Sequence, residues 1–252
     1  MSEERTIRIE TEIDATPEEV WRAIAEADGI TRWFAPEARV TPGKDGKIFL
    51  SWGPGMEGEA PIRVWEPGQR LVWVEGEGTP RQKTVEFVIE AQGGKTLLRL
   101  VNSGFGPGAS FDDEVDTVTG AWRLFFALLR YGSEQFPSAP AVNVWFCRAI
   151  KQPVTEVWPR LLGSGGIAID NTAEGARYHA SLNGIPLSGT VLRHPKPGYL
   201  ALSAETVSNS AVGFFVEKSG ATTLFTIEWI LYGEGLARES EVRAALGGFW
   251  PS

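Results

Sequence analysis

Val115-Asp-Thr-Val-Thr-Gly-Ala-Trp-Arg-Leu-Phe-Phe-Ala-Leu-Leu-Arg-Tyr-Gly132 decides the fold. Its apolar residues Val115, Val118, Trp122, Phe125, Phe126 and Leu129 recur at helical spacing and make one stripe of an α-helix. Leu124, Leu128 and Tyr131 fill the opposite side, so the last turns are apolar nearly all round and need covering on more than one face. Gly120 sits near the middle, at a cost of about 1 kcal/mol relative to alanine, which packing or a bound guest would explain. The spacing predicts a long helix clasped by a curved sheet drawn from the residues before it.

Those residues supply the sheet. Residues 5–14 alternate Ile7, Ile9 and Ile13 with polar side chains, the pattern of a half-buried strand. In Ala15-Thr-Pro-Glu-Glu-Val-Trp21, Thr16 is a helix N-cap, Pro17 takes the first helical position and Glu19 completes a capping box. The helix carries Val20, Trp21, Ile24 and Ala27 to Asp28-Gly29, and a second helical piece is expected over Ile30–Phe34. Strands follow at Arg39–Thr41, Lys47–Trp52, Ala60–Glu66, Arg70–Glu75, Lys83–Ala91 and Thr96–Ser103, parted by turn signals such as Pro67-Gly68 and Gln92-Gly-Gly-Lys95. Gly104-Phe-Gly-Pro-Gly108 then leads into the long helix. This order describes an α+β domain with an antiparallel sheet wrapped on one helix.

After a linker, Pro137-Ser-Ala-Pro140, the chain repeats itself. Glu156-Val-Trp158 restates Glu19-Val-Trp21 after a β-like run over Asn143–Ile150; Gly189–Leu200 restates Pro61–Leu71 with its central turn; Gly220-Ala-Thr-Thr-Leu224 restates Gly93-Gly-Lys-Thr-Leu97. Three matches in the same order imply duplication. The expected domains are residues 1–137 and a shorter 138–252. Pro159 should shorten or kink its helix, and the last helix, Glu239–Leu246, should end at Gly247-Gly248.

Charge falls unevenly: residues 1–137 carry a net −8 and residues 138–252 net zero. No basic cluster exists, which argues against nucleic acid, and the acidic half would repel an anionic membrane surface. No apolar run approaches the roughly 20 residues that span a bilayer, and the acidic start, Met1-Ser-Glu-Glu-Arg5, has no secretory pattern, so a cytoplasmic protein is expected. The single cysteine, Cys147, reads as a small core residue.

Several segments of the first half together resemble a known family. Ile13–Trp21, Trp33-Phe-Ala-Pro36, the Trp65-Glu-Pro67 turn before Leu71, Thr84-Val-Glu-Phe87, Lys95-Thr-Leu-Leu98, Gly104-Phe105 and Gly120-Ala-Trp122 resemble the activator of heat-shock-protein-90 ATPase homologue-like group, within the START-like, or SRPBCC, superfamily. The resemblance covers about residues 5–135, and the second half resembles the superfamily loosely, as a degenerate copy. It implies a helix-grip (START-like, Bet v-like) fold in tandem: a curved antiparallel sheet around a long C-terminal helix, over a cavity. Members bind lipids, sterols, polyketides or other hydrophobic molecules, and a few are cyclases; the eukaryotic namesakes regulate a chaperone's ATPase.

Enzyme motifs are scarce. His179 and His194, the only histidines, lie apart and without a ligand motif, so no metal site is expected, and no nucleophile elbow, P-loop or dinucleotide fingerprint occurs, so no cofactor is expected. His194 is expected on a surface turn. Asp112, Asp113, Glu114 and Asp116 read as compensation for the helix dipole, or alternatively a cation site. Glu57 and Glu59 are expected on a solvated loop, and the Gly104–Gly108 loop at a cavity mouth. The residues expected to line a ligand site are Trp33, Phe34, Trp52, Met56, Trp73, Phe87, Phe105, Trp122, Phe125 and Phe126, with Arg99 or Arg63 as a polar anchor. The leading expectation is non-catalytic binding of a small hydrophobic molecule. A protein-interaction or chaperone-regulating module, with a protein partner or homodimer, and a cyclase- or hydrolase-like enzyme on an aromatic or polyketide substrate are the alternatives.

Overall fold

A computed structural model of the chain describes residues 5–106 and 111–249. The elements run β1 (Arg5–Ile13), α1 (Pro17–Ala25), α2 (Ala27–Ile30), β2 (Glu37–Thr41), β3 (Lys47–Ser51), β4 (Glu57–Glu66), β5 (Arg70–Glu75), β6 (Lys83–Gln92), β7 (Lys95–Phe105) and α3 (Asp112–Gln135). They continue as β8 (Ala141–Ile150), α4 (Val154–Leu162), β9 (Arg177–Leu182), β10 (Ile185–Lys196), β11 (Tyr199–Ala204), β12 (Ser210–Ser219), β13 (Thr222–Tyr232) and α5 (Glu239–Gly248). The chain divides into two compact units: Met1–Trp122 with Gly132–Pro137, and Arg123–Tyr131 with Ser138–Ser252. No described helix is long and apolar enough to cross a membrane.

In the first unit a seven-stranded antiparallel sheet has the order β1-β7-β6-β5-β4-β3-β2. The capping box forms as the sequence requires: the Glu19 backbone N–H donates to Thr16 Oγ1 at 3.3 Å and the Thr16 N–H to Glu19 Oε2 at 2.8 Å. That anchors α1, whose Val20, Trp21 and Ile24 are buried. On β7 the inward side chains are Thr96, Leu98, Leu100 and Asn102, the alternation of a strand with one buried face.

In the second unit the order is β8-β13-β12-β11-β10-β9. In both units the first strand pairs with the last and the others follow in descending order, so the helix-grip topology occurs in tandem, the second copy one strand shorter. Two hydrogen bonds repeat with it. Thr96 Oγ1 donates to the Ala15 carbonyl just ahead of α1 at 2.7 Å, and Thr223 Oγ1 to the Gln152 carbonyl just ahead of α4, also at 2.7 Å. The Pro-Gly turn repeats too, with Gly68 at φ +73° and Gly198 at +100°, left-handed conformations that suit glycine.

One face of the second sheet packs Phe214, Phe225, Ile227 and Trp229 against Trp158 and Leu161 of α4 and Val242, Leu246 and Phe249 at the chain's end. The other face is buried as well. Within this unit Phe125 meets Phe215 at 5.0 Å between ring centroids, and the Tyr131 hydroxyl donates to the Asn209 carbonyl at 3.0 Å. Gly213 makes room for the helical segment, since a Cβ there would stand 3.2 Å from Leu128 Cδ1 and 3.6 Å from Leu124 Cδ2. Glu228, the register partner of Gly213 and so on the same face, is fully buried and among the described residues accepts only from Asn143 Nδ2, at 2.6 Å.

Four local expectations change. The second helical piece lies one turn earlier than Ile30–Phe34, which is a turn after Ile30. Pro159 does not shorten α4, which has nine residues like α1. Gly247 and Gly248 belong to α5, which ends at the C-cap Phe249. Glu57 and Glu59 start β4 rather than lying on a loop, though both are exposed.

Candidate ligand site

The inner face of the first sheet and the N-terminal half of α3 assemble an aromatic cluster. Phe34, on the turn after α2, stacks on Trp33 at 5.1 Å and on Trp122 of α3 at 5.0 Å, with Trp52 edge-on at 5.1 Å. Phe87 of β6 links Trp122 at 5.9 Å, Trp33 at 6.5 Å and Trp73 of β5 at 5.4 Å. Each indole N–H is satisfied: Trp33 Nε1 donates to the Ala23 carbonyl at 2.9 Å, Trp52 Nε1 to the Phe34 carbonyl at 2.8 Å, Trp73 Nε1 to Glu75 Oε1 at 3.1 Å and Trp122 Nε1 to Asn102 Oδ1 at 3.2 Å. These bonds fix the ring orientations, as buried indoles require.

Three polar residues stand at one end of this apolar surface. Asn102, buried, also donates Nδ2 to the Thr84 carbonyl at 3.0 Å. Glu75 continues the inward stripe Leu71-Trp73 at the end of β5 and is the register partner of Lys83. Lys83 Nζ donates to the Gly104 carbonyl at 3.2 Å, pairs with Glu114 at 3.3 Å and lies 4.6 Å from the Phe105 ring centroid, a cation–π contact. Glu75 is exposed to solvent as a residue. Even so, desolvation by the protein around its carboxyl raises its pKa, against the opposing pull of the Trp73 N–H and the Lys83 charge. The Glu75 carboxyl thus stands at the exposed end of β5, next to the Trp73 indole and across from Lys83.

The second unit has a counterpart for each of these positions. Where Glu75 pairs with Lys83 and Asn102 with Val85 in the first, Ala204 pairs with Ser210 and Trp229 with Val212 in the second. Trp229 is fully buried and its Nε1 donates to Ser210 Oγ at 2.8 Å. These positions are polar in the first copy and include a buried indole in the second.

Residues 14–130 match the family model described as Activator of Hsp90 ATPase homolog 1-like protein. No curated protein matches the chain. Among solved structures the chain is similar to the Aha1 dimer from Colwellia psychrerythraea, at 17% identity and TM-score 0.47 over 53% of this chain and 98% of that one. It is similar to CalU16 from Micromonospora echinospora, at 29% identity and TM-score 0.40 over 50% and 74%. The di-domain ARO/CYC BexL from the BE-7585A biosynthetic pathway is similar over 96% of both chains, at 15% identity and TM-score 0.46.

Of the residues expected to line a site in the Hsp90-activator-like stretch, Trp33, Phe34, Trp52, Trp73, Phe87 and Trp122 come together. Phe105 is buried at the end of β7, under Lys83. Met56 is exposed on the turn between β3 and β4. Phe126 is buried on α3, and Phe125 packs on Phe215 within the second unit. Neither arginine reaches the inner face. Arg99 alternates out of phase with Leu98 and Leu100, and its guanidinium pairs with Glu10 at 2.6 Å and Glu90 at 3.1 Å on the sheet's other side. Arg63 is bound by Glu77. The polar residues on the inward stripes are instead Glu75, Lys83 and Asn102.

The remaining candidates have structural partners. Asp112 pairs with Arg5 and Glu114 with Lys83, and among the described residues no cluster of His, Cys, Asp and Glu could hold a metal ion. Cys147 is half-buried and accepts from Thr226 Oγ1 at 3.3 Å. His194 does not lie on a surface turn: it sits on β10, half-buried, with Nδ1 3.1 Å from the Thr172 carbonyl. His179 is exposed beside Asp170. Part of the Gly104–Gly108 loop, residues 107 and 108, lies outside the described residues.

Proposed function

We propose that the first unit binds a small hydrophobic molecule, without catalysis, between the inner face of its sheet and the N-terminal half of α3. Trp33, Phe34, Trp52, Trp73, Phe87 and Trp122 would surround its apolar body. Glu75, Lys83 and Asn102 would meet its polar end. The second unit serves as a filled scaffold.

One observation carries this reading. The same fold occurs twice in the chain, and the first copy has Glu75, Lys83 and Asn102 at the register positions where the second has Ala204, Ser210 and Trp229. Apolar surface with a few convergent polar groups is the composition of small-molecule sites.

The test copies one unit into the other. Lys83→Ser with Asn102→Trp gives the first unit the residues that the second tolerates at those positions. Native mass spectrometry of gently purified protein should detect a reproducible bound mass in the wild type and none in the double variant, with circular dichroism unchanged. A bare wild-type mass, with no thermal shift across a panel of lipids and aromatics, would overturn the binding role in favour of a protein-interaction module.

A further inference from the structure

Glu75 and Lys83 are cross-strand partners, a geometry that places side chains on the same face with Cβ atoms about 5 Å apart. Opposite charges so placed ordinarily meet. These do not: no ion pair joins them, and Lys83 turns instead to the Gly104 carbonyl and Glu114. Glu75 Oε1 accepts from Trp73 Nε1, while among the described residues Oε2 has no hydrogen-bond partner. Beside the aromatic cluster the two side chains therefore present one carboxylate acceptor and one ammonium donor that are not paired with each other.

The charges around this gap select the group that fits it. A ligand carboxylate would face both Glu75 and Glu114, and like charges at close range are disfavoured. A ligand ammonium would face Lys83. A neutral hydroxyl does what neither ion can, since it donates its proton to a carboxylate and accepts from an ammonium at the same oxygen. Both bonds are charge-assisted, the stronger class of hydrogen bond. Resting on the binding role proposed above, we infer that the first unit's ligand is an aromatic or polycyclic molecule with a neutral hydroxyl at one end, which donates to Glu75 Oε2 and accepts from Lys83 Nζ.

Three probes of one shape test this by isothermal titration into the full chain at pH 7: 2-naphthol, 2-methoxynaphthalene and 2-naphthoate. The naphthol should bind about tenfold more tightly than its methyl ether, the scale of one hydrogen bond to a charged group. The naphthoate should bind weakest of the three. In Glu75→Gln and in Lys83→Met, each checked by circular dichroism, the preference for naphthol over ether should collapse to within about twofold. Equal binding of naphthol and ether to the wild type, or a preference surviving both substitutions, overturns the hydroxyl assignment and leaves the apolar site standing. If none of the three binds, the binding role fails and the hydroxyl assignment falls with it.

Discussion

Trp158 and His194 lie with ring centroids 5.7 Å apart, at the place in the second unit where Trp21 and Trp65 meet edge to face at 5.0 Å in the first. In each unit an aromatic residue from the first helix is pinned by a ring from the strand that precedes the Pro-Gly turn. Truncating either indole should therefore cost its unit about the same. Trp21→Ala and Trp158→Ala are each expected to lower stability by about 3–5 kcal/mol, the range for deleting a large buried aromatic, as read by urea denaturation. A loss below about 1 kcal/mol for either would show that the ring is not part of a core.

The fully buried Glu228 predicts a pH dependence. Burial raises its pKa well above the ordinary 4.5, and the Asn143 hydrogen bond opposes this only in part. The folded pKa exceeds the unfolded one, so Glu228's contribution is fully present below the unfolded pKa and is lost as pH rises through the folded value. Cys147, Glu217 and Tyr232 lie on the same face, so the comparison must be with Glu228→Gln. Wild-type stability should fall relative to that variant as pH rises from 5 towards 9. Parallel curves would mean that the Glu228 proton does not matter to folding.

Gly213 predicts a steric effect. Gly213→Val would push branched methyls towards Leu128 and Phe215, whose nearest atoms stand only 3.2 and 3.1 Å from the position a Cβ would take. About 1–3 kcal/mol should be lost, as for overpacking elsewhere, together with faster amide hydrogen exchange over residues 123–131. Unchanged exchange there would sever Gly213 from the seating of that segment.

The repeated threonine bonds should carry equal weight. Thr96→Val and Thr223→Val each remove a hydroxyl that donates to the chain ahead of a helix. Each should cost about 0.5–1.5 kcal/mol, the net worth of one such hydrogen bond. Calorimetry would read this directly, and a neutral result at one site would show that the repeat has lost its function there.

Much of this was legible in the residues themselves. The apolar stripe of α3, the Thr16–Glu19 capping box and the Gln92–Lys95 hairpin are local patterns, and local patterns specify local structure. The duplication was legible because its fragments kept their order. The inward-facing polar residues were harder to read. Arg99 and Arg63 drew attention as long cations on strands, yet period-two alternation sets Arg99 opposite Leu98 and Leu100, where Glu10 and Glu90 take its charge. The same alternation turns Glu75, Lys83 and Asn102 inward, so the signal was present in the stripes Leu71-Trp73-Glu75 and Leu98-Leu100-Asn102. His194 misled because its Arg-His-Pro-Lys-Pro setting looks like a turn, whereas the bulged β10 carries it inward towards Trp158.

Trp229 has one more consequence, and it is spectroscopic. Because its indole is sealed in place by Ser210, its fluorescence, with that of Trp158, should stay constant when a quenching guest enters beside Trp73 and Trp122. The polypeptide thus carries its own internal reference: a matched blank, fused to the sample, at the same concentration in every tube.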